Sequence, residues 1–312
     1  MQDLLRDATA GDPIKGIKWT RKALRTLAKQ LKGKRYRVSH ETVRRLLKQV
    51  GYRQRSNRKR LSRKQDPARD RQMRYLARQR RVFLKAQNPV ISVDTKKKEL
   101  VGLFKHAGRT WRREALEVLT TDFASDALGK AIPYGIYDVA HNHGFVVVGI
   151  SHETAQFAVA AIRRWWLNFG RHAFPQTDQL LIQADSGGAN GYRCWLWKLA
   201  LQALADEFGL SITVTHYPTS ASKWNLIEHR LFNHISSNWA GQPLVSYETV
   251  LKFIRTTQTE NGLRCLAFMD ITDYPTGLTV TPEQKASLNL VRHRVLPKWN
   301  YTIKPRTRPS GK

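Results

Sequence analysis

The chain has 312 residues, 54 of them Lys or Arg against 24 Asp or Glu, and its formal charge of +30 points to a polyanionic partner, nucleic acid before any other. With 41% apolar residues it can fill a core and has room for roughly two domains, which excludes a disordered chain. No apolar run approaches the ~18 residues of a membrane-spanning helix, no secretory signal or lipidation motif is visible, and two cysteines, Cys194 and Cys265, exclude a disulfide framework and a zinc knuckle.

The charge is uneven: residues 1–90 carry 28 Lys/Arg against 6 Asp/Glu, and residues 91–312 carry 26 against 18. Over residues 20–31, Leu24, Leu27, Ala28 and Leu31 recur at helical spacing, with Gly33 as the expected stop. Residues 40–50 repeat the pattern through Val43, Leu46, Leu47 and Val50, with Ser39 placed as an N-cap and Gly51 as a C-cap. The polar face of this second helix offers His40, Thr42, Arg44, Arg45 and Lys48, the arrangement of a helix-turn-helix; a plain helical hairpin with a solvated basic face has the same spacing. Residues 53–64, which include Arg58, Lys59 and Arg60, are mostly Arg and Lys, the profile of an arm lying along phosphates or in a minor groove. Asp66-Pro67 then opens another helix, to about Gln87.

From Pro89 the period changes. Strands are expected over residues 89–94, 135–140 and 144–150, the last two joined by a turn through Asn142, followed by a helix over 153–169. A strand at 179–184, a helix at 192–208, a strand at 211–216 and a helix from Ser222 to about Trp239 complete the series. Three strands followed by alternating helices and strands describe an α/β fold, a ribonuclease-H-like mixed sheet flanked by helices and preceded by a small all-α helix-turn-helix region. Gly187-Gly188-Ala189-Asn190-Gly191 lacks the spacing of a dinucleotide-binding loop.

Asp94 and Asp185 each end a strand at the carboxyl edge, where open α/β sheets gather ligand and metal sites, although a single aspartate there equally caps a turn. Glu228 falls in a helical stripe with Trp224, Ile227, Leu231, Phe232 and Ile235, where a carboxylate requires a Lys or Arg partner, a proton or a bound cation. Taken singly it is a salt-bridge residue. Taken together, the three offer hard oxygen ligands for Mg²⁺ or Mn²⁺, and two such ions about 4 Å apart can activate water or a 3′-hydroxyl and stabilise the leaving oxygen of a phosphodiester. Lys96, Lys97 and Lys98 beside Asp94, and Lys223, Asn225, His229 and Arg230 beside Glu228, are candidates for DNA phosphate contacts or members of a solvated basic face. Asp138 is the main competitor as a third metal ligand, with a local Lys or Arg pairing as the simpler account; His141-Asn142-His143 reads as a turn, and Trp165, Trp166, Trp195 and Trp197 as core.

The segments SVDTKKKELVG around Asp94, LGKAIPYGIYDVAHNHGFVVVGISHETAQFAVAAIRRWW, ADSGGANGYR around Asp185, SKWNLIEHRLF around Glu228 and the late WNYTIKP carry a resemblance. Over nearly all of residues 15–305 the chain resembles the insertion-sequence DDE transposases of the Rhodopirellula type, within the retroviral-integrase-like superfamily. The resemblance implies a ribonuclease-H-like core with two Mg²⁺ or Mn²⁺ ions on Asp94, Asp185 and Glu228. It further implies a cut-and-join reaction on double-stranded DNA at element ends and target, an N-terminal part that recognises those ends, and a homo-oligomer on DNA. Such a protein works in the cytoplasm, at the nucleoid of a bacterial-type cell, with no membrane partner. Family members usually begin with a longer N-terminal region, so a shortened end-binding module is expected.

The expected organisation is a helix-turn-helix-like region over residues 1–52, a basic arm and linker helix over 53–88, a catalytic domain over 89–262, and a C-terminal extension with a basic tail over 263–312. Two other readings fit parts of the sequence: a catalytically silent DNA-binding remnant, and a ribonuclease-H-like nuclease that cuts without joining.

Overall fold

The computed structural model describes residues 9–11, 18–20, 23–54, 66–221 and 224–306, and the chain divides into two compact units, Met1–Leu61 and Ser62–Lys312. In the first, a short antiparallel ribbon, β1 (Thr9–Gly11) with β2 (Lys18–Thr20), precedes the two expected helices, α1 (Leu24–Gly33) and α2 (His40–Gln49). Leu27, Leu31 and Val43 form the buried core between the helices. Ser39 caps α2 as anticipated, its Oγ accepting from the Thr42 N–H at 3.1 Å, and Gly51 takes a left-handed φ of +87° after its end. Gly33 does not stop α1: it is the last helical residue, and Arg35, at φ +67°, supplies the left-handed turn. The basic arm, with Arg58, Lys59 and Arg60, lies outside the described residues.

The second unit opens with α3 (Arg69–Lys85), then β3 (Val90–Thr95) and β4 (Glu99–Val101). β5 (Gly129–Asp138) and β6 (His143–Gly149) make a hairpin whose turn is closed by Asn142 at φ +52°. There follow α4 (Ala155–Trp165), β7 (Gln179–Ala184), α5 (Trp195–Phe208) and β8 (Ser211–His216). A π-helical turn, Glu228–Phe232, leads into α6 (Asn233–Asn238), and α7 (Tyr247–Arg255), β9 (Arg264–Asp270), α8 (Pro282–Ala286), β10 (Leu290–Arg292) and β11 (Asn300–Ile303) complete the chain. The strands form one nine-stranded sheet, β10-β11-β8-β7-β3-β5-β6-β9, with β4 on β5. Its centre, β6, β5 and β3 antiparallel and β3, β7 and β8 parallel, is the ribonuclease-H-like arrangement.

Helices cover both faces. On one, Phe157, Ile162 and Trp165 of α4 and Trp197, Leu201 and Leu204 of α5 pack on Ile91, Val93, Ile182 and Val214. On the other, Ile227, Leu231, Phe232 and Ile235 around the π turn, with Val250 and Ile254 of α7, pack on Val146 and Val148. The α3 helix joins this second face through Phe83 against Val90 and Leu181. Trp165, Trp166 and Trp197 are buried, and the Cys265 thiol is pushed up to about 12 by burial. Among the described residues no helix is long and apolar enough to cross a membrane.

Three expectations are corrected. Over the described residues 263–306 the chain is not an extension, because β9 pairs in parallel with β6 and β11 pairs antiparallel with β8, adding strands on both sides of the sheet. The helix expected to act as a linker is fastened to the sheet: the Gln72 amide donates to the His216 carbonyl and to Asn300 Oδ1, both at 2.8 Å, and accepts from Asn300 Nδ2 at 2.7 Å. The strand expected over 135–140 begins at Gly129, running through Pro133, which interrupts its sequence pattern but pairs with Val148.

Gln72 is fully buried, so Gln72→Leu strands the carbonyl and amide that it serves and lowers the unfolding free energy by about 2 kcal/mol. The midpoint of a urea titration reads this; an unchanged midpoint would show that α3 is held by its apolar side alone.

Candidate active site

Strand register places the first two carboxylates. Val93 of β3 is paired with Ala184 of β7, so the next residues, Asp94 and Asp185, occupy neighbouring positions on parallel strands about 5 Å apart. Val93 and Ala184 both point into the core beneath α4 and α5; by alternation, Asp94 and Asp185 face the other side, where the π turn carrying Glu228 packs.

Gly135 makes that packing possible. It is the cross-strand partner of Asp94, and a Cβ built on it would stand 2.4 Å from Phe232 Cε1 and 2.9 Å from Ile227 Cδ1. The bare backbone lets the residues on either side of Glu228 settle onto the sheet beside Asp94. The helix here begins at Leu226, not at Ser222, and Trp224 lies outside the buried stripe, about half exposed; Ser222 and Lys223 lie outside the described residues.

The three carboxylates feel one another. Burial first, and then the charges of Asp185 and Glu228, push the Asp94 carboxyl up to about 7, against the opposing Thr95 N–H and Asn225 amide. Burial also raises Asp185, opposed by the Ser186 N–H, and raises Glu228, where Lys96 and His229 oppose it and Asp185 adds to it. Among the described residues, no three His, Cys, Asp or Glu side chains are drawn together into a metal cage. The donor set nonetheless suits a hard divalent cation: three half-buried carboxylates whose mutual repulsion a cation would relieve, all oxygen, at one strand edge.

Buried hydrogen bonds hold each aspartate. Asp94 Oδ1 accepts from the Thr95 N–H at 2.8 Å and Oδ2 from Asn225 Nδ2 at 3.1 Å. The Asp185 carbonyl accepts from His216 Nδ1 at 2.9 Å, while His216 Nε2 accepts from the Tyr301 hydroxyl at 3.1 Å, which in turn accepts from Trp197 Nε1 at 3.1 Å. Full burial pushes His216 down to about 4, keeping it neutral in this chain of donors.

The other sequence candidates separate. Asn225 is fully buried, so it cannot contact DNA as expected. Lys96 is also buried, its Nζ 3.2 Å from Glu99 Oε1 and 4.3 Å from the Trp239 ring centroid, so its charge serves Glu99 and the field at Glu228. Lys97 and His229 are exposed at this edge. In the first unit, Arg44, Arg45 and Lys48 of α2 are exposed; Arg44 lies 3.3 Å from Glu41, and the Thr42 hydroxyl hydrogen-bonds Ser39 within the cap. Asp138 is no competitor for the site: it pairs with Ile91 at the opposite end of β3 and binds the His141 ring at 2.9 Å, a histidine where Lys or Arg was expected.

Sequence reasoning missed Ser92, Gly135 and His216. Ser92, a polar break in an apolar strand two residues before Asp94 and so on its face, carried a readable signal. Missed too was the loop between β4 and β5, where Lys105, Arg109, Arg112 and Arg113 line a cavity of about 580 Å³ and Trp111 is fully exposed. Its base is fixed to the end of α6 by the Gly241 N–H donating to the Ala107 carbonyl at 2.9 Å.

The family model described as Rhodopirellula transposase DDE domain matches residues 1–305. Among solved structures, the chain is similar to the Mos1 transposase paired-end complex with left transposon end, at 16% identity over 81% of this chain and 68% of that one, TM-score 0.42. It is similar also to a pre-cleavage Mos1 transpososome, at 15% identity, 81% and 68% coverage and TM-score 0.44, and to the mariner Mos1 paired end complex with Mg, at 16%, 81%, 68% and 0.42. No curated protein matches the chain.

Two outcomes follow from the geometry. Because Asp94 is raised from 3.8 to about 7, the folded protein keeps a proton that the unfolded chain has released, and stability from this group is full below about 4 and lost as pH rises through about 7. The melting temperature of Asp94→Asn relative to the wild type, without divalent ions, therefore widens in the variant's favour from pH about 4 to about 7 and then levels; a flat difference would remove the strained carboxylate. Gly135→Ala forces the Phe232 ring away and lowers stability by about 1 to 3 kcal/mol by thermal unfolding, with Glu228 displaced; unaltered stability would mean that the helix does not rest there.

Proposed function

We infer, starting from a chain that belongs to the Rhodopirellula transposase DDE-domain family, that it binds the ends of a mobile DNA element, cuts them with Asp94, Asp185 and Glu228, and joins them to target DNA. The observation that carries this reading is the register of β3 and β7, which sets the positions of Asp94 and Asp185 side by side; the raised Asp94 carboxyl, which feels both Asp185 and Glu228, supports it.

When bound on these oxygens, two Mg²⁺ or Mn²⁺ ions would supply Lewis acidity to the attacking and leaving oxygens of the phosphodiester. The protein's own part is to hold the carboxylates. Asp94 and Asp185 are fixed by strands and buried hydrogen bonds, and Glu228 by a π-helical turn wedged over Gly135. Exposed polar and basic side chains then place the DNA: Lys97 and His229 at the sheet edge, Arg109 and Arg113 on the loop before β5, and Arg44, Arg45 and Lys48 on α2 for the element ends. With water as nucleophile a strand is cut; with the freed 3′-hydroxyl it is joined. The chain acts on duplex DNA as a homo-oligomer in this reading.

The substrate for the test is DNA carrying the inverted repeats that flank the encoding locus. Asp185→Asn reduces Mg²⁺-dependent cleavage by more than the roughly 100-fold that removing an outer partner of a metal ligand costs, and leaves gel-shift binding of the ends intact. Undiminished cleavage sinks the assignment. Binding by the wild type without nicking under Mn²⁺ marks a silent remnant, and cutting without joining marks a nuclease.

A further inference from the structure

We propose that Asn225 and Ser92 are positioning residues that lock Asp94 and the Glu228 turn into one register, a proposal that rests on the assignment of those two carboxylates to the metal site. Both side chains are fully buried, in contact with each other and with the site, and neither can reach substrate. The Ser92 hydroxyl donates to Asn225 Oδ1 at 2.6 Å, and Asn225 Nδ2 donates to Asp94 Oδ2 at 3.1 Å. Ser92 Oγ in turn accepts the backbone N–H of Ile227, the residue before Glu228, at 3.4 Å.

Direction is forced at each link. The Asp94 carboxylate only accepts, so the amide must turn its nitrogen toward it. The amide oxygen then faces Ser92, whose hydroxyl must donate to it and is left to accept the Ile227 N–H. The relay thus runs from the backbone entering Glu228, through one hydroxyl and one amide, to one chosen oxygen of Asp94. It occupies one lone pair of Oδ2 as the Thr95 N–H occupies one of Oδ1, leaving each oxygen a single free direction. Without the relay, Asp94 could rotate and the Glu228 turn could slide on the sheet, since apolar contacts with Phe232 and Ile227 have no direction of their own.

The test uses the full chain, with MnCl₂ alone followed by calorimetric titration and, separately, Mg²⁺-dependent cleavage of end DNA. Asn225→Leu weakens Mn²⁺ binding about 10- to 100-fold and lowers kcat while KM for DNA stays unchanged, a split that a general loss of structure would not give. Ser92→Ala has a smaller effect in the same direction, and the double variant is no worse than Asn225→Leu alone, because both changes break one relay. Wild-type Mn²⁺ affinity in Asn225→Leu overturns the proposal, as do single-variant losses that add. Should Asn225→Leu fail to fold, Ser92→Ala, which removes one oxygen, decides it by the same titration. Absence of Mn²⁺ binding by the wild type overturns the metal reading itself, whereas wild-type binding with unaltered variants overturns the relay alone.

Discussion

Like charges resist approach, and at one edge of its sheet this fold holds a buried carboxylate, Asp94, within the field of two others, Asp185 and Glu228. Asp94 and Asp185 leave adjacent parallel strands side by side, and Glu228 is brought over them by a helix. Burial removes the water that would otherwise shield them, so each carboxyl is raised above its ordinary range. Such an arrangement persists only because the surroundings are stiff. The core on the far face, built from Trp165, Trp197 and the aliphatic residues of β3, β7 and β8, supplies that stiffness.

Polar groups do the finer alignment. The two aspartates are held by separate buried networks, Asn225 and Ser92 for Asp94, His216, Tyr301 and Trp197 for Asp185. Each network draws one partner from a distant part of the chain, so the strand ends report on the folding of the whole second unit. Tyr301 is the clearest case: it belongs to β11, near the end of the described chain, yet its hydroxyl fixes the histidine that holds the Asp185 carbonyl. The α3 helix reaches the same place from the other side, since Gln72 binds the His216 carbonyl.

The strands at 179–184 and 211–216 were legible, the first from the apolar run Leu180, Leu181 and Ile182, the second from Ile212 and Val214 alternating with polar neighbours. The helix pair and the cap at Ser39 were legible for the same local reason. β9 and β11 were not, because each is placed by a partner strand far away in sequence. The apolar stripe around Glu228 was legible, but the true start of its helix was not, since Trp224 at helical spacing imitates a buried position while standing half exposed. Lys96 and Asn225 were misassigned because residue type suggests a contact with phosphate and only burial denies it.

By itself the sequence determined the positive charge and the order of the central strands and helices, and it singled out three carboxylates as candidates. These depend on composition and on the periodicity of neighbouring residues. Only the tertiary structure decided that Asp94 and Asp185 are neighbours, that Gly135 admits the Glu228 turn, and that Ser92, Asn225 and His216 serve as fasteners. Those facts depend on strand register and on contacts across more than a hundred residues, such as Ser92 with Asn225, 133 residues apart. No local pattern encodes them; they come into being when the sheet closes.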